Sequence, residues 1–281
     1  MSLETRVYQK ENNAHFFKHL KASLTDIYNS RFLAKQLAVR DIKSQYRQSY
    51  LGMLWVLITP LTTGIVWIFL SITGTIRLTD TGVPYPVYAF TGTLLWAILK
   101  ESINTPMSST NSARSILTKI NFPKEALVVS GVYKLLFNSS IKIMLLVVLI
   151  FAFGIGFHWS LLLFPVAVFI TVFIGITIGL FITPLGMLYS DVSRFIGFIL
   201  SFAMYITPVV YAIPKSGLMK TLMELNPFTS LILTGRAVAV GTMPEYLGSY
   251  FIVLGCSIPL FFIGMVFYRI SIPVIVERLS A

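Results

Sequence analysis

His15 and His19 stand four residues apart, the spacing at which two imidazoles share a helix face and can hold a metal. No third ligand or general base lies near them, so a solvated surface pair is expected and no metal site is assigned. Three lysines precede a hydroxyl residue, at Lys43-Ser44, Lys215-Ser216 and Lys220-Thr221, but none follows the glycine pattern of a phosphate-cradling loop. The chain is therefore expected not to hydrolyse ATP, and uphill transport would need a gradient or a separate subunit. Ion-coupled carriers need carboxylates deep in their spans. The spans expected here contain none, Glu101 at an inner end and Asp191 at a turn being nearest. Nucleophile–base pairs and paired carboxylates are also missing, so neither an enzyme activity nor a cofactor on this chain is expected. The single cysteine, Cys256, excludes an intramolecular disulfide.

Composition says what must position such residues. Of 281 residues, 56% are hydrophobic and 12% charged, with a mean hydropathy of +0.79, a membrane protein's profile. The net charge of +11 fits cytoplasmic loops better than nucleic-acid binding. Residues 1–50 contain no apolar core of a cleavable signal peptide. A bilayer core of about 30 Å needs about 20 apolar residues as helix. Residues 51–73 satisfy this without a charge, and 82–99 form a shorter candidate with Pro84 and Pro86, whose inner end can continue past Lys100 and Glu101. Residues 143–190 carry no Asp, Glu, Lys or Arg and supply two spans broken at 154–160, beginning near Tyr133 and Leu161. Residues 195–213 and 246–268 make the fifth and sixth. His158 and Trp159 fall in the break, where an interfacial belt is expected. Sixteen of the 22 basic residues then lie on the side of the termini and four opposite, which puts both termini in the cytoplasm.

The expected fold is an all-α integral membrane protein of six transmembrane helices, with an N-terminal amphipathic interfacial helix. Residues 214–245 hold two apolar pieces too short to cross, with Asn226-Pro227 as helix start and Gly241 as stop. They read either as two short re-entrant helices between spans five and six or as a hairpin on the outer surface. The domains are a cytoplasmic arm over 1–50, a transmembrane domain over 51–270 and a cytoplasmic tail over 271–281.

Within the arm, Phe32, Val39, Ile42 and Tyr46 share one helical face, with Gln36, Arg40, Lys43 and Arg47 opposite. That pattern suits a lipid-headgroup anchor, or a docking surface for a partner or for lipid phosphates. Ser130, Lys134, Asn138 and Lys142 recur every fourth position as a polar stripe, either an inter-helix contact or a conduit wall. Trp55, Tyr85, Tyr88, Trp96, Tyr205 and Tyr211 suit a membrane belt, helix packing or a channel whose aromatic faces meet sugar rings.

Specific strings add a family resemblance. RDIKSQYRQSYLGMLW at 40–55, ITPL at 58–61, SILTKINFPKEALVVSGVYKLLFN at 115–138, YSDV at 189–192, YITPVVY at 205–211, and LNPFTSLI at 225–232 with Arg236 closely resemble the permease subunit of ABC-2 type polysaccharide exporters. This Wzm-like group exports lipid-linked O-antigen, with relatives that handle capsule and teichoic acid. The resemblance runs over about residues 31–270; Gln45 departs from it, standing where many relatives carry a basic residue.

The resemblance implies a homodimer enclosing a channel in the bacterial inner membrane, with two copies of a separate nucleotide-binding subunit that carries the ATP and Mg. It implies a coupling helix at about 111–120, followed by Asn121, Phe122 and Pro123. Asn111, Arg114, Ser115, Thr118, Lys119, Phe122 and Pro123, with Arg40 and Asp41, become candidates for touching the ATPase. Arg40, Lys43 and Arg47 become candidates for the diphosphate of a polyprenyl-linked glycan. Asn226, Pro227 and Arg236 would belong to an outer gate. The rival readings are an ABC-2 permease for a drug or lipid, a gradient-driven carrier, and a membrane-embedded transferase.

Overall fold

The computed structural model describes residues 16–47, 50–74, 82–117 and 122–280. His15, Arg77, Thr118, Lys119 and Asn121 lie outside them, as do the side chains of Trp67 and Ser115. All secondary structure in the described residues is helical. In chain order the helices are α1 (Phe16–Asn29), α2 (Arg31–Arg47), α3 (Leu54–Ile72), α4 (Tyr85–Ser112), α5 (Arg114–Leu117) and α6 (Glu125–Ala152). A 3-10 turn (Trp159–Leu163) leads into α7 (Phe164–Leu188), then α8 (Ser190–Tyr205), α9 (Leu218–Leu225), α10 (Pro227–Val240) and α11 (Leu247–Ser280).

Three stretches among the described residues are long and apolar enough to cross a bilayer: Glu125–Ala152, Trp159–Leu188 and Leu247–Arg278. At 1.5 Å per residue, the 28 residues of α6 span about 42 Å, well beyond a hydrocarbon core. Helix α4 is as long and begins where Pro86 occupies the first turn, a position that needs no amide donor. It runs past Lys100 and Glu101, the continuation left open for the 82–99 candidate, and ends at Ser112. Glu101 consequently sits mid-helix, not at an inner end. Helix α6 starts at Glu125, earlier than the expected Tyr133, and α11 continues through the expected tail to Ser280.

The fifth candidate, 195–213, divides differently. Helix α8 occupies Ser190–Tyr205, and the chain then leaves the helix through a turn at 206–208. Pro208 supplies the local reason, since its ring disfavours helical geometry at Thr207 and it has no amide to donate.

Helix α4 is the centre of the bundle, packed along α7 and α6 and touched by α3 and α10, while α11 lies on α7. The α4–α7 seam is close because α7 presents glycines. A Cβ at Gly175 would overlap the Ser102 side chain, and one at Gly179 would overlap the Ile103 carbonyl and the Pro106 ring. The apolar core, from Leu94, Leu95, Ile98 and Leu99 on α4 to Val172, Ile176 and Leu180 on α7, fills the rest of that seam.

The arm is not a detached helix. Helix α1 packs on α11 and α6, and α2 lies along α6. The packed face of α2 is Ala34 and Ala38, with Leu37, Ile42 and Tyr46 half-buried, whereas Phe32 and Val39 of the expected apolar face point outward. Small side chains let the two backbones approach, and that close approach decides the face more than hydropathy does.

Gly179→Leu is expected to force α4 and α7 apart at a cost of about 1–3 kcal/mol. Thermal unfolding of the purified chain in detergent should show the loss, while Gly255→Leu, where a Cβ meets nothing within 4 Å, should leave the midpoint nearly unchanged.

Candidate functional site

At the end of the bundle where α4 begins, residues 207–210 are buried although they are not helical. Their carbonyls are nonetheless bound. Asn226 Nδ2 donates to Ile206 O at 3.3 Å and to Thr207 Oγ1 at 2.8 Å. Arg236 Nη2 donates to Pro208 O at 3.1 Å and also to Val209 O. The Tyr85 hydroxyl donates to Val210 O at 3.1 Å, and the Tyr88 hydroxyl to Tyr211 O at 3.1 Å. Side chains from α4 and α10 thus replace the helical hydrogen bonds that this run gives up, as buried backbone requires.

Helix α10 is built to present those groups. Asn226 Oδ1 accepts the amide of Phe228 at 3.0 Å as N-cap, Pro227 holds the first position, and Gly241 ends the helix in the left-handed region at φ 80°. The guanidinium of Arg236 lies 3.6 Å over the Tyr88 ring and is 4% exposed. Gly92 allows this approach, because a Cβ there would overlap Val209 O and Arg236 Nη2. Trp96 is buried edge-on against Phe228, at 6.0 Å between centroids. Tyr211 donates its hydroxyl to Tyr205 O, while the Tyr205 and Trp55 rings are exposed.

The polar stripe of α6 joins helices. Lys142 Nζ pairs with Glu101 Oε2 at 2.9 Å, and Asn138 Oδ1 accepts the Tyr46 hydroxyl of α2 at 2.9 Å. Burial, with the charge of Glu101 second, holds the Tyr46 phenol above its usual pKa, so it remains a donor. Ser130 is buried. Lys134 faces a cavity of about 460 Å³ between α2, α4 and α6, shared with Asp41, Gln45, Glu101, Asn104 and Ser108. Glu101 was named from the sequence, but its pairing with Lys142 was not, because the two residues lie on different helices 41 positions apart.

At the other end of α4, a cluster brackets the 113–124 loop. Arg269 Nη1 lies 2.6 Å from Glu125 Oε1 and 2.7 Å from Asp26 Oδ2, and Ser23 Oγ donates to Glu125 Oε1 at 2.7 Å. The Tyr268 and Thr110 hydroxyls are hydrogen-bonded at 2.7 Å, and Tyr268 also donates to Lys124 O at 3.3 Å. Helices α1, α4, α6 and α11 are thereby tied where the loop enters and leaves. None of these residues was singled out from sequence, since partners more than 100 positions apart leave no local pattern.

Along the loop, Asn111 and Arg114 are exposed and Phe122 and Pro123 half-buried. Arg40 is partly exposed and pairs with its neighbour Asp41 at 2.8 Å, and Lys43 and Arg47 are exposed on α2. The structure therefore groups Arg236, Tyr85, Tyr88 and Asn226 at one end, and leaves the arm's cations and Arg114 as separate surface features.

Together these features define a multi-pass membrane protein, all-helical in its described residues. Residues 33–240 match the model of the ABC-2 type transporter family, and the chain belongs to that family. It is similar to the O-antigen export system permease protein RfbA of Myxococcus xanthus, with 28% identity over 216 residues, 76% of this chain and 82% of that one. Two proteins of the same name from Klebsiella pneumoniae are 27% and 25% identical, covering 74% and 80% of this chain and 82% and 87% of their own lengths.

For the mid-helix pair, Lys142→Met alone is expected to destabilise by more than Glu101→Gln combined with Lys142→Met, because the single change strands a carboxylate among helices. The difference should lie between the about 0–1 kcal/mol of an exposed pair and the about 3–5 kcal/mol of a buried one. A double-mutant cycle on thermal unfolding in detergent measures it.

Proposed function

We propose that this chain is the membrane permease of an ATP-driven exporter of lipid-linked polysaccharide, related in substrate class to O-antigen. The observation that carries the reading is the match to three relatives named as O-antigen export permeases, over 216 to 235 residues. In this reading α3, α4, α6, α7, α8 and α11 are the six crossings, with the sealed run after Tyr205 completing the fifth. Helices α9 and α10 dip into the outer leaflet as re-entrant elements, and both termini face the cytoplasm of a bacterial inner membrane.

Two copies of the chain enclose the channel, and two copies of a separate ATPase bind below, carrying ATP and Mg. The residues from Asn111 to Pro123 form the coupling segment, with Arg114 and Lys119 as its charged contacts, together with Arg40 and Asp41. What supports this assignment is the bracing of the loop. The Glu125–Arg269–Asp26 cluster and the Tyr268–Thr110 bond link the loop's two roots to α1 and α11. A push on the loop is then passed to several helices together. Arg40, Lys43 and Arg47 meet the glycan-lipid diphosphate at the inner leaflet, and Lys134 with the groove beside it provides polar surface on the way inward. Exposed Trp55 and Tyr205 are the aromatics best disposed to face a channel between two copies, whereas Tyr85, Tyr88 and Trp96 serve the outer gate around Asn226, Pro227 and Arg236.

The test is surface display of glycan in cells lacking the gene and complemented with wild type or Arg114→Glu. Wild type should restore display, while Arg114→Glu at equal membrane abundance should leave lipid-linked glycan accumulating inside and lower surface glycan several-fold. Deletion that leaves surface glycan unchanged would sink the polysaccharide reading and favour a drug or lipid substrate.

A further inference from the structure

Helices α6 and α7 both pack on α4, and α11 lies on α7, which leaves α6 facing α7 and α11 across a groove of about 180 Å³. Val128, Val129 and Val132 of α6 line one side, with Phe173 and Ile176 of α7 and Phe261 of α11 opposite. On α7 the lining runs from Phe169 to Leu180, about 16 Å at 1.5 Å per residue and roughly half of a hydrocarbon core of about 30 Å. Phe169 is exposed, so the groove opens on the flank of the bundle.

Glu125 and Tyr268 are the only polar side chains of this lining, and with Ile27 of α1 they close one end. Glu125 Oε1 is taken by Ser23 and Arg269, and the Tyr268 hydroxyl by Thr110 and Lys124 O. The walls belong to the three stretches long and apolar enough to cross a bilayer, so the medium that reaches the groove is hydrocarbon. An apolar cavity of about 150 Å³ already stays dry and takes up a hydrocarbon ligand.

The closed end adjoins a second cavity, of about 320 Å³, to which the same helices give neighbouring residues: Asp26 beside Ile27, Lys124 beside Glu125, and Arg269 beside Tyr268. Glu125 lines both spaces. Arg269 spends only Nη1 on Asp26, Glu125 and Ser23. Its Nε and Nη2, and Asp26 Oδ1, have no hydrogen-bond partner among the described residues, and none of the three is sealed from solvent. The two side chains are 26% and 29% exposed. Two cations, Arg269 and Lys124, stand against two carboxylates, so this cavity carries no net charge.

We propose that groove and cavity together hold one glycerophospholipid with a zwitterionic, primary-amine headgroup. One acyl chain lies along α7 opposite α6, the phosphate meets Nε and Nη2 of Arg269, and the ammonium meets Asp26. The Nε–Nη2 edge of a guanidinium offers two parallel N–H groups, the fork that suits two phosphate oxygens. Balanced charge favours a zwitterion over an anionic headgroup, and a quaternary ammonium has no N–H to give Asp26. The site needs α6, α7 and α11 to cross a membrane; it does not rest on the export reading.

The experiment places the full chain in nanodiscs of phosphatidylethanolamine, phosphatidylcholine and phosphatidylglycerol in equal parts, with matched acyl chains and a trace of polyprenyl phosphate. Native mass spectrometry then counts the lipid each chain retains. One phosphatidylethanolamine per chain, enriched several-fold over the other lipids, is the expected result. Val129→Trp, which fills the groove, should lower its retention several-fold, whereas Val148→Trp, on an exposed part of α6, should not. Asp26→Asn should remove the preference over phosphatidylcholine. If either site variant does not fold, the lipid ratio of the wild type decides. Equal retention of the three phospholipids, polyprenyl phosphate in their place, no retained lipid, or a folded Val129→Trp chain that retains as much as wild type overturns the proposal. No arm reads surface glycan, so the export reading stands or falls separately.

Discussion

Five carbonyls between Ile206 and Tyr211 set the terms for one whole end of this molecule. All but that of the exposed Ile206 belong to buried or half-buried, non-helical backbone, and among apolar helices there is little water to satisfy them. The solution is to bring donors from elsewhere: Asn226 and Arg236 from the start and the body of α10, and Tyr85 and Tyr88 from the first turns of α4. Each donor constrains its own element. Helix α10 must lie with one face on α4, Gly92 must lack a side chain where Arg236 passes, and α10 must start at Asn226, whose Oδ1 caps the helix while its Nδ2 reaches back to the break. A helix interruption that looks like a local consequence of Pro208 is thus the feature to which α4, α8 and α10 are jointly fitted.

The opposite end is organised by charge. Arg269 serves two carboxylates from two different helices, and Glu125 is almost fully enclosed, so the three charges hold α1, α6 and α11 in one arrangement. Between the ends, the Lys142–Glu101 pair and the Tyr46–Asn138 bond repeat the device on a smaller scale, fixing α6 against α4 and α2. In a low-dielectric surrounding such partners are expensive to separate, so these contacts favour helices that shift as groups. Thr110 and Glu125, which flank residues 113–124, are held in this set of helices through Tyr268 and Arg269.

The family match and the relatives' names agree with a membrane subunit that moves something through a membrane. The glycan reading draws on those relatives, while the geometry shows long apolar helices, a polar groove between α2, α4 and α6, and a hydrogen-bonded run after Tyr205.

Several elements were legible from residue order alone. Apolar runs long enough to cross, the break at 154–160, and the Asn226-Pro227 start and Gly241 stop of α10 all follow from local chemistry, in which hydropathy, proline and capping act within a few residues. The polar stripe at 130, 134, 138 and 142 was equally readable as spacing, though its partners were not. Tertiary structure alone decided which face of α2 packs, how far α4 runs and which charges meet. Glu101 finds Lys142 41 positions away and Arg269 finds Glu125 144 away. Helix period assigns a residue to a face, but which helix covers that face depends on how closely two backbones can approach, and here glycines and alanines set that distance, not the more conspicuous hydrophobic side chains.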